Sequence, residues 1–128
     1  MLLLDTCSLL WLAAGSSALS KRAGEAIVLQ RSNLWVSAIS GLEIGIKYKR
    51  KRLGLPLPPR KWVPQVLEHH GIRSLPLDLD VCLRAADLPD IHNDPFDRLI
   101  VATALVCGMS IVTPDATLQA YPGVTTVW

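Results

Sequence analysis

The chain has few cysteines and no cysteine motif. Cys7, Cys82 and Cys107 are three among 128 residues, odd in number and widely spaced. This pattern argues against a disulfide framework and indicates a reducing compartment, which we expect to be the cytoplasm. A zinc site is not indicated either. His69 and His70 are adjacent, so their side chains diverge, and no cysteine pair accompanies them.

The sequence also lacks a secretion signal, a long hydrophobic run and a strong net charge. No basic segment precedes the apolar N-terminal residues, and Asp5 interrupts them. The later apolar run from Leu99 to Cys107 is too short to span a bilayer. The formal charge of +2 is too small to indicate a partner by itself. With half of its residues hydrophobic, the chain is predicted to be one globular domain over residues 1–128, without membrane association.

Short apolar segments alternate with helical patterns along the chain. The predicted strands cover residues 2–4, 34–36, 72–75, 110–113 and 124–127. The predicted helices cover residues 6–14, 20–31, 40–51, 62–70, 79–88 and 94–107, with a helical turn at 116–120. Continuous apolar runs such as Leu2–Leu4 are typical of strands buried on both faces of a parallel sheet. The alternation predicts an α/β fold of three layers, α/β/α, around a mostly parallel sheet.

The helix predicted at 94–107 has clear signals at both ends. Asp94 is suited to be its N-cap, and Pro95 falls at the first helical position, where its missing N–H has no cost. Asp97 follows in the first turn, where the helix dipole favours an anion. Gly108 provides the C-terminal stop.

Four acidic residues occupy the same kind of position, directly after a predicted strand or near a helix N-terminus. They are Asp5, Glu43, Asp97 and Asp115. Because the carboxyl ends of parallel strands share one edge of a sheet, we expect these acids to converge. Two carboxylates about 4 Å apart repel by roughly 4 kcal/mol at an effective dielectric constant near 20. A bound divalent cation would remove this repulsion, and ligation by oxygen alone favours Mg²⁺ or Mn²⁺ over zinc.

Each acid also has a purely structural interpretation. Glu43 could complete a capping box with Ser40 or form an i,i+4 ion pair with Lys47. Asp115 could cap the short helix that follows it. Asp5 is hardest to explain in this way, since it ends a strand of three leucines. Considered as a set, the acids favour a metal site.

A basic run lies at the end of the helix predicted at 40–51. Its members are Lys47, Lys49, Arg50, Lys51 and Arg52. Such a run is usually a solvated helix end, where cations are favoured by the helix dipole. Beside a metal site for phosphodiesters, the same charges could bind a nucleic-acid backbone.

Four segments carry a family resemblance that extends over essentially the whole chain. They are Leu3-Leu4-Asp5-Thr6, Ser40-Gly41-Leu42-Glu43-Ile44-Gly45-Ile46-Lys47, Asp94-Pro95-Phe96-Asp97-Arg98-Leu99-Ile100-Val101-Ala102 and Thr113-Pro114-Asp115. In this order they resemble the PIN-domain ribonucleases and, among them, the VapC-like toxins of bacterial toxin–antitoxin pairs. The string Asp94-Pro95-Phe96-Asp97-Arg98 is the most specific part.

The resemblance implies a PIN-like fold and a Mg²⁺- or Mn²⁺-dependent endoribonuclease that leaves 5′-phosphate and 3′-hydroxyl ends. By position, it implies that the metal-binding, catalytic acids are Asp5, Glu43, Asp97 and Asp115. Accessory roles fall to Asp94, near the site or as a helix cap, and to Thr6 and Arg98, which would contact substrate or water. The resemblance also implies a homodimer and an antitoxin partner, for which Trp11, Trp62 and the proline-rich connector at 55–59 are candidate contacts.

Two other functions are consistent with an α/β fold. The chain could be a non-catalytic module that binds RNA or a protein through the basic helix end at 47–52, with its acids acting as caps. Metal titration would distinguish this module from the nuclease. A dinucleotide-binding enzyme is not favoured, because Asp5-Thr6-Cys7-Ser8 follows the first strand where a Gly-x-Gly-x-x-Gly motif would stand.

Overall fold

The computed structural model describes residues 1–128 as five strands, six α-helices and one 3₁₀ helix. The strands are β1 (Leu2–Leu4), β2 (Leu34–Ser37), β3 (Arg73–Leu75), β4 (Ser110–Val112) and β5 (Thr126–Val127). The α-helices are α1 (Thr6–Ala14), α2 (Lys21–Leu29), α3 (Ala38–Lys49), α4 (Pro59–His70), α5 (Leu79–Asp87) and α6 (Pro95–Cys107). The 3₁₀ helix covers Ala116–Ala120.

The strands form one sheet in the order β3-β2-β1-β4-β5, and every neighbouring pair is parallel. The prediction of a mostly parallel sheet is therefore confirmed, and no antiparallel pair interrupts it. Strand β1 lies at the centre, with Leu4 opposite Val36 on one side and Val112 on the other. Strand order reverses at β1. The carboxyl end of β1 is thus the position where open α/β sheets bind ligands.

The central strand separates two hydrophobic cores. Leu3 belongs to a core with α5 and α6, whereas Leu2 and Leu4 belong to a core with α1, α2 and α4. All three leucines are at most 1% exposed. Successive side chains of a strand point to opposite faces, so burial of all three requires helices on both sides of the sheet. This arrangement is the predicted α/β/α layering.

Several predicted boundaries were wrong at helix starts. Helix α3 begins at Ala38, and its N-cap is Ser37, whose hydroxyl accepts the Ile39 N–H at 3.2 Å. The predicted capping box of Ser40 and Glu43 is therefore absent. Helix α4 begins at Pro59, earlier than the predicted 62, because proline is well tolerated in a first helical turn. No helix in the structure is long and apolar enough to cross a membrane.

Candidate active site

Asp5 lies at the carboxyl end of β1 and is also the N-cap of α1. Its Oδ1 accepts the Ser8 N–H at 2.8 Å, and its own N–H donates to the Val112 carbonyl oxygen at 3.2 Å. The residue is 7% exposed and forms no ion pair with a basic side chain. Burial raises the pKa of Asp5, partly opposed by hydrogen bonds from Thr113 and Ser8. The negative charge of Glu43 raises this pKa further.

Asp97 lies in the first turn of α6 and has the most strongly perturbed carboxyl group. Burial is the main cause that raises its pKa to about 6, followed by the negative charge of Asp94. The charges of Glu43 and Asp115 act in the same direction, while His92 opposes them. The acids contributed by α3, α6 and the segment after β4 therefore lie close enough to repel one another.

Glu43 forms the ion pair that the sequence suggested and also lies near the other acids. It lies in the second turn of α3, one turn later than predicted, and its Oε2 is 3.0 Å from Lys47 Nζ. Burial alone would lower the pKa of Lys47, but the hydrogen bond to Glu43 and the nearby negative charges, that of Glu43 first, together raise it. The i,i+4 ion pair is thus present. Even so, the charge of Glu43 also raises the pKa values of Asp5 and Asp97.

Asp115 follows β4 and caps the 3₁₀ helix. Its Oδ1 accepts hydrogen bonds from the Thr117 N–H at 2.9 Å and the Thr117 hydroxyl at 2.7 Å. Partial burial alone would raise the pKa of Asp115. The hydrogen bonds from Thr117, together with the nearby His92, outweigh this effect and hold the pKa below its usual value. Asp115 is therefore a fixed anion at the rim of the acidic cluster.

His92 was not predicted as a site residue. Its Nε2 lies 3.3 Å from Asp97 Oδ2 and 3.4 Å from Asp115 Oδ2. One ligand atom from each of the three residues lies within 4.8 Å of the other two. The only feature of the sequence that could have indicated His92 is its position, two residues before the N-cap of the helix that carries Asp97.

Asp94 is the N-cap of α6, as predicted, and its Oδ1 accepts the Phe96 N–H at 2.9 Å. It also lines a cleft of about 270 Å³ next to the acidic cluster. The cleft is lined by Glu43, Ile46, Lys47, Arg50, Arg52, Asp94 and Phe96. Three of the five predicted RNA-binding cations are among these residues. Lys49 and Lys51 are exposed and do not line the cleft.

The two predicted substrate contacts, Thr6 and Arg98, have their polar groups occupied within the protein. Thr6 is 3% exposed, and its hydroxyl donates to Ser40 Oγ at 2.9 Å. The Arg98 guanidinium donates to five backbone carbonyl oxygens, those of Ala85, Ala86, Leu88, Pro89 and His92. Arg98 therefore joins the end of α5 to α6, and its contact with substrate or water stays a prediction.

The acidic cluster suits a hard divalent cation. Its members supply carboxylate oxygens, the ligands that Mg²⁺ and Mn²⁺ prefer. The raised pKa values of Asp5 and Asp97 mean that these groups ionise less readily than usual, and a nearby cation would favour their ionised forms. Lys47, the basic residue that pairs with one of these acids, is bound to Glu43. The arrangement can thus hold a metal ion beside a basic cleft.

Comparison with known proteins agrees with this geometry. The family model described as the PIN domain matches residues 2–124. The chain belongs to the PIN domain family. This PIN domain is 36% identical to Ribonuclease VapC22 of Mycobacterium tuberculosis (strain ATCC 25618 / H37Rv), over 98% of this chain and 97% of that protein.

Solved structures share the fold of this PIN domain. A toxin–antitoxin complex from Klebsiella pneumoniae matches with a TM-score of 0.69 and 20% identity, over 98% of this chain and 97% of that one. VapBC2 from Rickettsia felis, bound to a DNA fragment from its promoter, matches with a TM-score of 0.70 and 14% identity, over 98% and 96%. Both identities are low, so these likenesses concern the fold alone.

Replacing Asp97 by asparagine is expected to stabilise the metal-free protein at pH 8 by about 1–3 kcal/mol. The folded protein keeps a proton on Asp97 up to about pH 6, whereas the unfolded chain releases it near pH 3.9. Stability from this group is therefore lost as the pH rises between these values. Urea denaturation in the presence of EDTA measures the free energy of unfolding. Asp97→Asn should exceed the wild type by more at pH 8 than at pH 5. Asp90→Asn, at an exposed loop position, is the control. An Asp97→Asn protein less stable than wild type at pH 8 would contradict the assigned repulsion.

Replacing Arg98 by lysine is expected to lower the free energy of unfolding by about 1–3 kcal/mol. Lysine keeps the charge but cannot reach several carbonyl oxygens at once with a planar group. Thermal and urea denaturation measure the loss, and Arg84→Lys on the exposed side of α5 serves as the control. Equal stability of Arg98→Lys and wild type would rule out the structural role.

Proposed function

We propose that this protein is a Mg²⁺- or Mn²⁺-dependent endoribonuclease, acting in the cytoplasm as the toxin of a toxin–antitoxin pair, with one catalytic PIN domain over residues 1–128. The observation that carries the proposal is the cluster of mutually repelling acids at the switch point of the sheet. Membership of the PIN family and the likeness to Ribonuclease VapC22 support it.

The residues that would hold the metal are Asp5, Glu43, Asp97 and Asp115. When bound, the ion would make a coordinated water more acidic and stabilise negative charge on a phosphoryl oxygen. The helix caps orient two of these carboxylates, since Asp5 and Asp115 each have one oxygen held by backbone N–H groups. Asp94 would add negative charge near the site and caps the N-terminus of α6. The proposed products carry 5′-phosphate and 3′-hydroxyl ends.

The basic side chains of the cleft would bind the RNA backbone. Lys47, Arg50 and Arg52 line the same cleft as Glu43, so a phosphate held by them would lie beside the acids. Lys49 and Lys51 would add long-range attraction from the surface. A non-catalytic binding module is less favoured, because it gives no reason for burying Asp5 and Asp97 among other acids.

Replacing Asp5 by asparagine is expected to abolish RNA cleavage while preserving the fold. Asparagine keeps an oxygen that can cap α1 but loses the charge needed for the metal. The matched control is Asp78→Asn, because Asp78 caps α5 in the same way, accepting the Val81 N–H at 2.9 Å. Cleavage of RNA with Mg²⁺ or Mn²⁺ should be lost in Asp5→Asn, kept in Asp78→Asn, and stopped by EDTA in the wild type. Full activity of Asp5→Asn would refute the assigned chemistry.

The antitoxin is proposed to bind an apolar groove at the end of α1. The groove, of about 330 Å³, brings together the two tryptophans and the connector that the sequence suggested. It is lined by Leu10, Trp11, Ala13, Ala14, Leu53, Gly54, Leu55, Pro56 and Trp62.

A homodimer is also part of the proposal. Leu79 and Leu83 on α5, 75% and 56% exposed, offer apolar surface for it.

Replacing Ala14 by arginine is expected to weaken antitoxin binding at least tenfold without unfolding the toxin. Ala14 is exposed at the groove, so a long charged side chain would fill it while leaving the core intact. The affinity is measured by calorimetric titration of the toxin, wild type or variant, with the purified antitoxin. Leu29→Arg, at an 85% exposed position on α2, should bind normally. Normal binding by Ala14→Arg would place the antitoxin elsewhere.

A further inference from the structure

The cleft beside the acidic cluster contains a single aromatic ring. Phe96 is the only phenylalanine of the chain, and no tyrosine, tryptophan or histidine lines the cleft with it. The other apolar side chain there is Ile46, and the remaining lining residues are charged. The metal and phosphate contacts of the proposed function use those charged side chains and not the ring.

The ring of Phe96 is shared between the core and the cleft. The side chain is half-buried and packs against the core that includes Ile100 and Val101 of the same helix. Its remaining surface lines the cleft. Packing on one side therefore holds the ring in place, while the other side stays accessible to a ligand.

The start of α6 fixes the position of this ring. The Phe96 N–H donates to Asp94 Oδ1 at 2.9 Å, and the residue before it is Pro95, whose backbone is restricted. Long side chains in a helix also have few allowed rotamers. Because the ring is ordered in advance, little conformational entropy would be lost when a ligand stacks on it. Asp97 follows directly, so one helical turn carries both the ring and a proposed metal ligand.

Three cations share the cleft with the ring, namely Lys47, Arg50 and Arg52. A positively charged groove with an aromatic side chain is the combination by which proteins bind single-stranded nucleic acid, because cations contact the phosphates and bases stack on rings. Phosphate contacts position the strand and leave the bases free. A strand bound by these cations would therefore bring a base into the cleft that Phe96 lines.

We propose that Phe96 is a base-stacking residue, whose ring receives one unpaired base of the RNA strand bound by Lys47, Arg50 and Arg52. This inference rests on the proposed function, since it takes RNA as the ligand. Every nucleobase has a π face, so the contact accepts all four bases and any preference among them follows stacking strength. A base inside a double helix is already stacked and is not available to the ring.

Binding of a fluorescent single-stranded oligoadenylate, measured by anisotropy in EDTA, tests the contact without cleavage. Phe96→Leu should weaken binding about fivefold or more, whereas Phe96→Tyr, which keeps a ring, should bind like the wild type. The matched control is Leu99→Ala, because Leu99 is half-buried against the same core but does not line the cleft. Circular dichroism establishes that each variant is folded. Equal binding by folded Phe96→Leu and wild type overturns the proposal.

The salt dependence of the same binding separates stacking from a change in the shape of the cleft. Phe96→Leu should leave the slope of log Kd against log salt concentration unchanged, because an uncharged ring releases no counterions. Arg50→Ala should reduce the magnitude of that slope by about 0.7. An equal reduction by Phe96→Leu would mean that the substitution displaces the cations, and the stacking role would be lost.

Photo-cross-linking tests the contact in the wild type. Single-stranded RNA that carries 5-iodouridine, irradiated in complex with the protein in EDTA, should form a cross-link to Phe96 that mass spectrometry of the digested protein locates. Cross-links confined to other residues overturn the proposal. Failure of the proposed function gives a different result, because the wild type would then bind no RNA, or would bind it without cleaving it when Mg²⁺ or Mn²⁺ is added.

Discussion

The repulsion between carboxylates in one cleft is the constraint on which the account of this protein depends. The parallel sheet places Asp5 at the point where strand order reverses, and α3, α6 and the turn after β4 bring three more acids towards it. Burial is the main cause that raises the pKa of Asp97 to about 6, and the negative charges of neighbouring acids raise it further. In the proposed function, a doubly charged ion bound by these acids would compensate this unfavourable charge.

Structural and chemical roles coincide in these acids. Asp5, Asp94 and Asp115 are all N-caps, each with Oδ1 accepting a backbone N–H. A cap fixes the rotamer of a carboxylate without neutralising its charge. The helix starts therefore position the acids, and the two interpretations that the sequence left open are compatible. The same holds for Glu43, which pairs with Lys47 and still repels Asp5.

Neighbouring groups complete the site from outside the acidic cluster. Arg98 gathers the carbonyl oxygens of the segment between α5 and α6, among them that of His92. The core residue Tyr121 holds the His92 N–H. These contacts tie the loop that precedes α6 to the helix itself and to the core. One side of the acidic cluster is thus formed by a loop, which sequence patterns describe poorly.

Local signals in the sequence were sufficient for the fold and for the expectation that the acids converge. The three-leucine strand, the Asp94-Pro95 helix start and the Gly108 stop are all observed where they were expected. The N-cap of α3 was missed because Ser37 and Ser40 are equally suitable residue types, and only the length of β2 decides between them. His92 and the role of Arg98 were missed because both depend on contacts between distant segments, which have no period or spacing in the sequence.

Anomalous diffraction from crystals soaked in Mn²⁺ would locate the ion directly. We expect a manganese peak within bonding distance of carboxylate oxygens of Asp5 and Asp97, with Glu43 and Asp115 around it. A manganese peak bound only by residues outside this cluster would contradict the proposed site. So would the absence of any peak in the cluster after soaking at a saturating Mn²⁺ concentration.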